Sequence, residues 1–87
     1  SSTKIKLISA IDSNDELKMS YLLSTNSWKV LEGIWAKNNK PMPPSSIAFL
    51  KYDNLKIIPY DNWFNDLFCG DCRAKANNMI KIIDWII

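Results

Sequence analysis

Cys69-Gly70-Asp71-Cys72 is the one string in this chain with the outline of a reactive motif. Two thiols at that spacing on a helix start can exchange electrons as a dithiol. A thioredoxin-like site, however, follows a strand in a βαβ unit, whereas an aromatic stretch at helical spacing (Trp63, Phe64, Leu67, Phe68) precedes this pair. A closed zinc site needs two more ligands, and the chain has no other cysteine and no histidine. The pair therefore reads as an isolated disulfide or as two reduced, partly buried thiols. The missing histidine also removes the commonest general base and any ordinary serine triad. Most of the nine acidic residues fall at predicted helix starts, where capping accounts for them. Two glycines cannot build a phosphate-cradling loop. These residues point to a non-catalytic protein with no metal, no cofactor and no small-molecule substrate.

Recognition chemistry is better supplied by the last stretch, Asp71 to Ile87, which reads as one amphipathic helix. At about 100° per residue, Cys72, Ala76, Met79, Ile80, Ile83 and Ile87 fall on one arc and Arg73, Asn77, Asn78 and Lys81 on another. Arg73, Asn77 and Lys81 are spaced i, i+4, i+8. Arginine pairs with guanine edges, asparagine with adenine edges, and lysine holds phosphate. Asp84 shares that side, and Lys75 lies on the far side, where it could reach a flanking strand. Ile82 and Ile86 fall off the apolar arc and Trp85 on the polar side. That trio is the natural docking face for a protein partner.

The other elements form the scaffold. Lys4 to Ile11 reads as a short strand or a lead-in that packs on the core. Ser13 and Glu16 form a capping box for a helix from about Asn14 to Ser24, with Leu17, Tyr21 and Leu22 as its buried stripe and Met19 or Leu23 near the edge. Ser24 to Ser27 breaks it, and a second helix runs from about Trp28 to Lys37 with Val30, Leu31, Ile34 and Trp35 on one face. Gly33 inside that helix suggests close packing, and Asn38-Asn39 suggests a left-handed C-cap. Pro41 to Pro44 is a stiff connector. Ser45 to Tyr60 fits a helix over Ile47 to Lys51 followed by an extended Leu55 to Ile58. A hairpin across Asp53-Asn54 is the alternative. Asp61 caps a short helix carrying Trp63 to Phe68, Gly70 ends it, and Asp71 caps the last. The four tryptophans, Trp28, Trp35, Trp63 and Trp85, read as core except Trp85. The expectation is one small, mainly α domain, 1–87, of four or five short helices with room for one short extended pair.

With 87 residues and a net charge of +2, the chain is too weakly basic to announce nucleic-acid binding on charge alone. No apolar run approaches the ~18 residues of a membrane span, and no signal peptide is visible. The order of features from Lys18 to Ile86 nevertheless resembles the C-terminal DNA-binding domain of fungal Gcr1-type transcription activators. The residues that carry the resemblance are Lys18-Met19-Ser20, Thr25, Leu31-Glu32-Gly33-Ile34-Trp35, Pro44-Ser45-Ser46-Ile47-Ala48-Phe49-Leu50, Trp63, and Cys72-Arg73-Ala74-Lys75 through Ile80, Ile83 and Ile86. The family's paired arginines are here Cys72-Arg73. The resemblance implies duplex DNA as partner and transcription regulation in the nucleus. On the residue reading of the last helix, Arg73, Asn77 and Lys81 are then the readers, Asn78 a further DNA-binding residue, and Lys75 and Lys51 lie on phosphates. The alternative is a protein-interaction module, of adaptor or toxin-neutralising type, that docks a larger protein at Ile82, Trp85 and Ile86. An intracellular location follows from either, with export of a mature form left open.

Overall fold

The computed structural model describes residues 2–87. Five α-helices form: α1 (Ser2–Asp12), α2 (Glu16–Lys37), α3 (Ser45–Lys51), α4 (Trp63–Phe68) and α5 (Cys72–Ile86), with a 3-10 turn at Tyr52–Asn54 after α3. The mainly α expectation holds, and no strand occurs among the described residues.

The lead-in segment is α1. Leu7, Ala10 and Ile11 sit at helical spacing, and the first two are buried. A strand there would have no partner ladder. Asn14 takes φ +54 at the end of α1, and Asp15 N–H closes onto Ala10 O while Asn14 N–H closes onto Ile11 O. This is a Schellman stop with asparagine in the left-handed position. The same device ends α2, where Asn39 has φ +57 and Lys40 N–H reaches Trp35 O. The cap of α2 is Asp15, whose carboxylate accepts from Lys18 N–H at 3.1 Å. Ser13 does not form the expected capping box, because its hydroxyl donates back to Ser9 O.

The expected break at Ser24–Ser27 does not occur. Thr25 Oγ1 donates to Tyr21 O at 2.8 Å and Asn26 Nδ2 to Leu22 O at 2.9 Å, so these polar side chains bond within the helix. The buried stripe of Met19, Leu22, Leu23, Val30, Leu31 and Ile34 then runs through without interruption. A break would have cost that continuous packing.

α1 lies antiparallel to α2, joined by the Thr3 hydroxyl donating to Asn26 Oδ1 at 2.9 Å. α5 runs parallel to α2: Cys72 meets Glu16 and Ser20 at one end, and Ile86 meets Gly33 at the other. The core between them centres on Leu7, Met19, Ile34, Met79 and Ile82. A Cβ placed on Gly33 would stand 2.9 Å from Ile86 Cδ1, so any side chain there makes Ile86 shift. Gly33→Leu is expected to cost about 1–3 kcal/mol by overpacking. In urea titrations Ile86→Ala should recover much of that loss, making the pair strongly non-additive.

α3 and α4 pack over the outer side of this bundle. No hairpin forms at Asp53-Asn54. Instead the Asn38 amide donates to Ile57 O and accepts from Ile57 N–H, both at 2.8 Å, and so supplies the pairing a strand would have given. Leu55 is buried under this clamp. The N-cap position of α4 is Asn62 rather than Asp61, and its side chain donates to Asp66 instead of capping the helix. Gly70, at φ +107, makes the corner before Asp71, whose carboxylate accepts from Ala74 N–H at 2.8 Å. That corner and cap follow the sequence expectation.

Candidate docking groove and the outer face of the last helix

α3 and α4 are seven and six residues long, yet between them and the following turn they carry Phe49, Tyr52, Trp63, Phe64 and Phe68. So short a pair of helices cannot bury that many rings. Trp63 and Leu67 take the inward positions. Phe64 becomes the hub of the rest. It stacks on Tyr52 with centroids 4.0 Å apart and planes 10° apart. Trp63, Phe68 and Phe49 approach it at 5.3, 5.0 and 5.9 Å, with Trp63 and Phe49 edge-on. Offset and edge contacts of this kind fix ring positions.

These rings form one wall of an open groove of about 570 Å³. α2 supplies the opposite wall with Ser27, Trp28 and Leu31, and Cys69 closes one rim. The lining has serine, asparagine and cysteine but no charged side chain. Phe49 is 65% exposed, Phe68 43% and Trp28 39%. Leu17 and Tyr21, also exposed, lie on the same stripe of α2 as Trp28, so apolar surface continues along the helix. The periodicity of Trp28 read as core because helical spacing says which residues share a face but not whether that face is covered. The signal that could have found the groove was the aromatic excess in two helices too short to hide it.

The expected DNA readers divide. Arg73, Asn77 and Lys81 do share an exposed strip of α5. Arg73 Nη2 donates to Asn14 Oδ1 at the α1–α2 corner, and Lys81 Nζ sits 4.9 Å from the Tyr60 ring centroid. Asn78 is half-buried and donates to Asp66 O at 3.2 Å, so its amide is not on that strip. Lys75 is half-buried about 200° around the helix from Arg73. Lys51 is exposed at the end of α3, beside Trp35, at the opposite end of α2 from the Asn14 corner that holds Arg73. Asp84 pairs with Lys4.

The expected protein-docking trio does not form a face. Ile82 is fully buried, because α5 is enclosed by α1, α2 and α4 and its buried arc is wider than a one-sided helix would show. Ile86 packs on Gly33. Trp85 is half-buried with Lys37 Nζ 5.4 Å from its ring centroid. Ile87, placed on the core arc by its spacing, is exposed just past the end of α5, with its N–H on Ile83 O.

Both cysteines are free thiols. Cys72 Sγ lies 3.3 Å from Ser20 Oγ and donates to Glu16 O at 3.4 Å, which suits a half-buried structural thiol. Tyr60 has a buried hydroxyl without a well-formed hydrogen bond. Burial first, and then the nearby Asp66 carboxylate, hold its phenol above the ordinary value of 10.0. The unfolded chain ionises this group first, so its contribution to stability is present below pH ~10 and is lost as pH rises toward the folded value. Tyr60→Phe is expected to be neutral or up to about 1 kcal/mol stabilising at neutral pH. Urea midpoints measured at neutral and alkaline pH should show a shallower alkaline decline in the variant.

Comparison with protein-family models, curated proteins and solved structures finds no match. The Gcr1-type resemblance therefore rests on the quoted motifs alone. No helix among the described residues is long and apolar enough to cross a membrane.

Proposed function

We propose that this chain is a non-catalytic interaction module that holds a row of apolar side chains from a protein partner in the aromatic groove between α2, α3 and α4. The observation that carries this reading is an exposed, ring-lined groove with no charge in its lining. Large apolar patches on a small monomer mark contact surfaces. Aromatic anchors in a concave site are where binding energy concentrates, and these rings are already fixed by their mutual contacts. A partner helix laid into the groove, presenting aliphatic residues one turn apart, matches such a site.

The test is photo-crosslinking in the cells that make the protein, with a benzophenone amino acid at Phe49 and, separately, at Asn77. A specific protein adduct at Phe49 is expected. The partner, purified, should bind the wild-type chain and lose affinity for Trp28→Ala. Adducts at Asn77 alone would overturn the reading.

DNA recognition by α5 is the second reading. It is favoured by the shared strip of Arg73, Asn77 and Lys81 and by the neutralisation of Asp84, the one acid on that side, by Lys4. Transcription regulation and a nuclear location belong to it. It ranks second because Arg73 and Lys81 already have intramolecular contacts and Asn78 and Lys75 leave the strip. Its test is a titration of labelled protein with random-sequence duplex. Shifts from Arg73 to Lys81 that fade as salt rises to about 200 mM would support it.

A further inference from the structure

α3 has a second groove on its other side. Ser45, Ala48, Phe49 and Tyr52 belong to the aromatic groove, whereas Ile47 and Lys51 face a smaller one of about 360 Å³. Trp35 and Leu55, both buried, form its floor, Pro41 and Pro43 one wall, and Lys40 and Lys51 supply its only charges. Its frame is held in place. The Asn39 turn fixes the exit of α2, the prolines restrict the connector, and the Asn38 clamp on Ile57 ties down the following loop. Neither lysine has an ion-pair partner, and the one ion pair among the described residues is Lys4–Asp84.

The segment that frames this groove is cationic. Residues 37–56 contain Lys37, Lys40, Lys51 and Lys56 against the single acid Asp53. The remainder of the chain carries seven cationic residues against eight acidic ones. The segment that frames the groove therefore carries a net charge of +3, and the remaining residues together −1. A potential of that sign over a concave, apolar-floored site selects an anion that also carries apolar groups.

We propose that this groove is a docking slot for an acidic segment of a partner protein, with an aliphatic side chain on the Trp35–Leu55 floor and carboxylates on Lys40 and Lys51. Carboxylates two residues before and after an aliphatic side chain share its face on one extended strand and supply both features. A nucleic acid fits less well. Stacking of bases needs an exposed ring, and Trp35 is only 3% exposed. The two cations also flank a pocket, where a duplex backbone needs them on an outward strip. The slot is separate from the aromatic groove, and its occupancy does not depend on what that groove holds.

The experiment is an amide and indole NMR titration of the full chain with a short capped peptide in which glutamates stand two residues before and after a leucine, with serines between. A lysine–leucine peptide and a random duplex serve as the other probes. The glutamate peptide is expected to shift Lys40, Lys51, Asn54, Leu55 and the Trp35 indole and to saturate, and the lysine peptide to leave them unmoved. Lys40→Glu/Lys51→Glu should weaken binding about tenfold or more, and Lys6→Glu/Lys18→Glu, the same charge change elsewhere on the surface, by less than about twofold. All four positions are exposed, and the spectrum itself reports that each variant is folded. Four outcomes would overturn the proposal. They are no shift with the glutamate peptide, shifts away from this groove, equal losses in the two double variants, or stronger movement of the same residues by duplex.

Discussion

Trp63→Ala is expected to remove about 3–5 kcal/mol of stability. A small domain has little more than that in total, so the variant should stand at the edge of unfolding, with a urea midpoint close to zero. Trp63 is buried from α4 and contacts Phe64 and Tyr52 edge-on, at 5.3 and 6.2 Å. Removing it leaves a cavity where α4 meets the bundle, and the hub ring of the groove loses its inner support. The neighbouring Phe68→Ala should cost less, about 1 kcal/mol, because Phe68 is 43% exposed on the groove and leaves no closed cavity. Urea denaturation of both variants gives the comparison. Equal losses would mean that α4 is not anchored through Trp63.

Trp28→Ala should do the reverse. Its ring is 39% exposed on the groove wall, and the stripe beneath it (Leu22, Leu23, Val30 and Leu31) does not depend on it. Stability should change by about 1 kcal/mol or less. Affinity for a partner in the groove should fall by about 2 kcal/mol or more, roughly thirtyfold, as for an aromatic anchor. Phe49→Glu should be at least as damaging, because it places a carboxylate on a rim that has no charge. Calorimetric titration of the cross-linked partner, once purified, measures both. A Trp28→Ala variant that binds normally yet is destabilised would assign the ring to the core.

The pattern of the chain carried most of the helical architecture. The second-half stripe of α2 (Val30, Leu31, Ile34 and Trp35), the Asn39 stop, the Gly70–Asp71 corner and the tight packing at Gly33 could each be read from local residue chemistry. Leu17 and Tyr21, on the expected stripe of its first half, are instead exposed, and Met19 and Leu23 are buried in their place. What could not be read depended on neighbours. Ser24 to Ser27 looks like a break because serine, threonine and asparagine compete for backbone hydrogen bonds. Here the Thr25 and Asn26 side chains bond to carbonyls one turn back, and the apolar stripe carries the helix onward. Ile82 looks peripheral on a wheel with one buried face, and only the enclosure of α5 by α1, α2 and α4 makes it core. The aromatic groove was hidden for the same reason. Trp28, Phe49, Phe64 and Phe68 come from three helices separated in sequence, and no spacing rule brings them together. The lysine slot is likewise assembled from Lys40 and Lys51 across a proline connector.

The most direct test is the NMR footprint, on the labelled full chain, of the tightest peptide selected from a random display library. Docking in the aromatic groove predicts shifts at the Trp28 indole and at Ala48, Phe49, Phe64 and Phe68, with the Arg73 to Lys81 strip unmoved. A footprint confined to that strip, or a library that yields no peptide for this groove, would contradict the account.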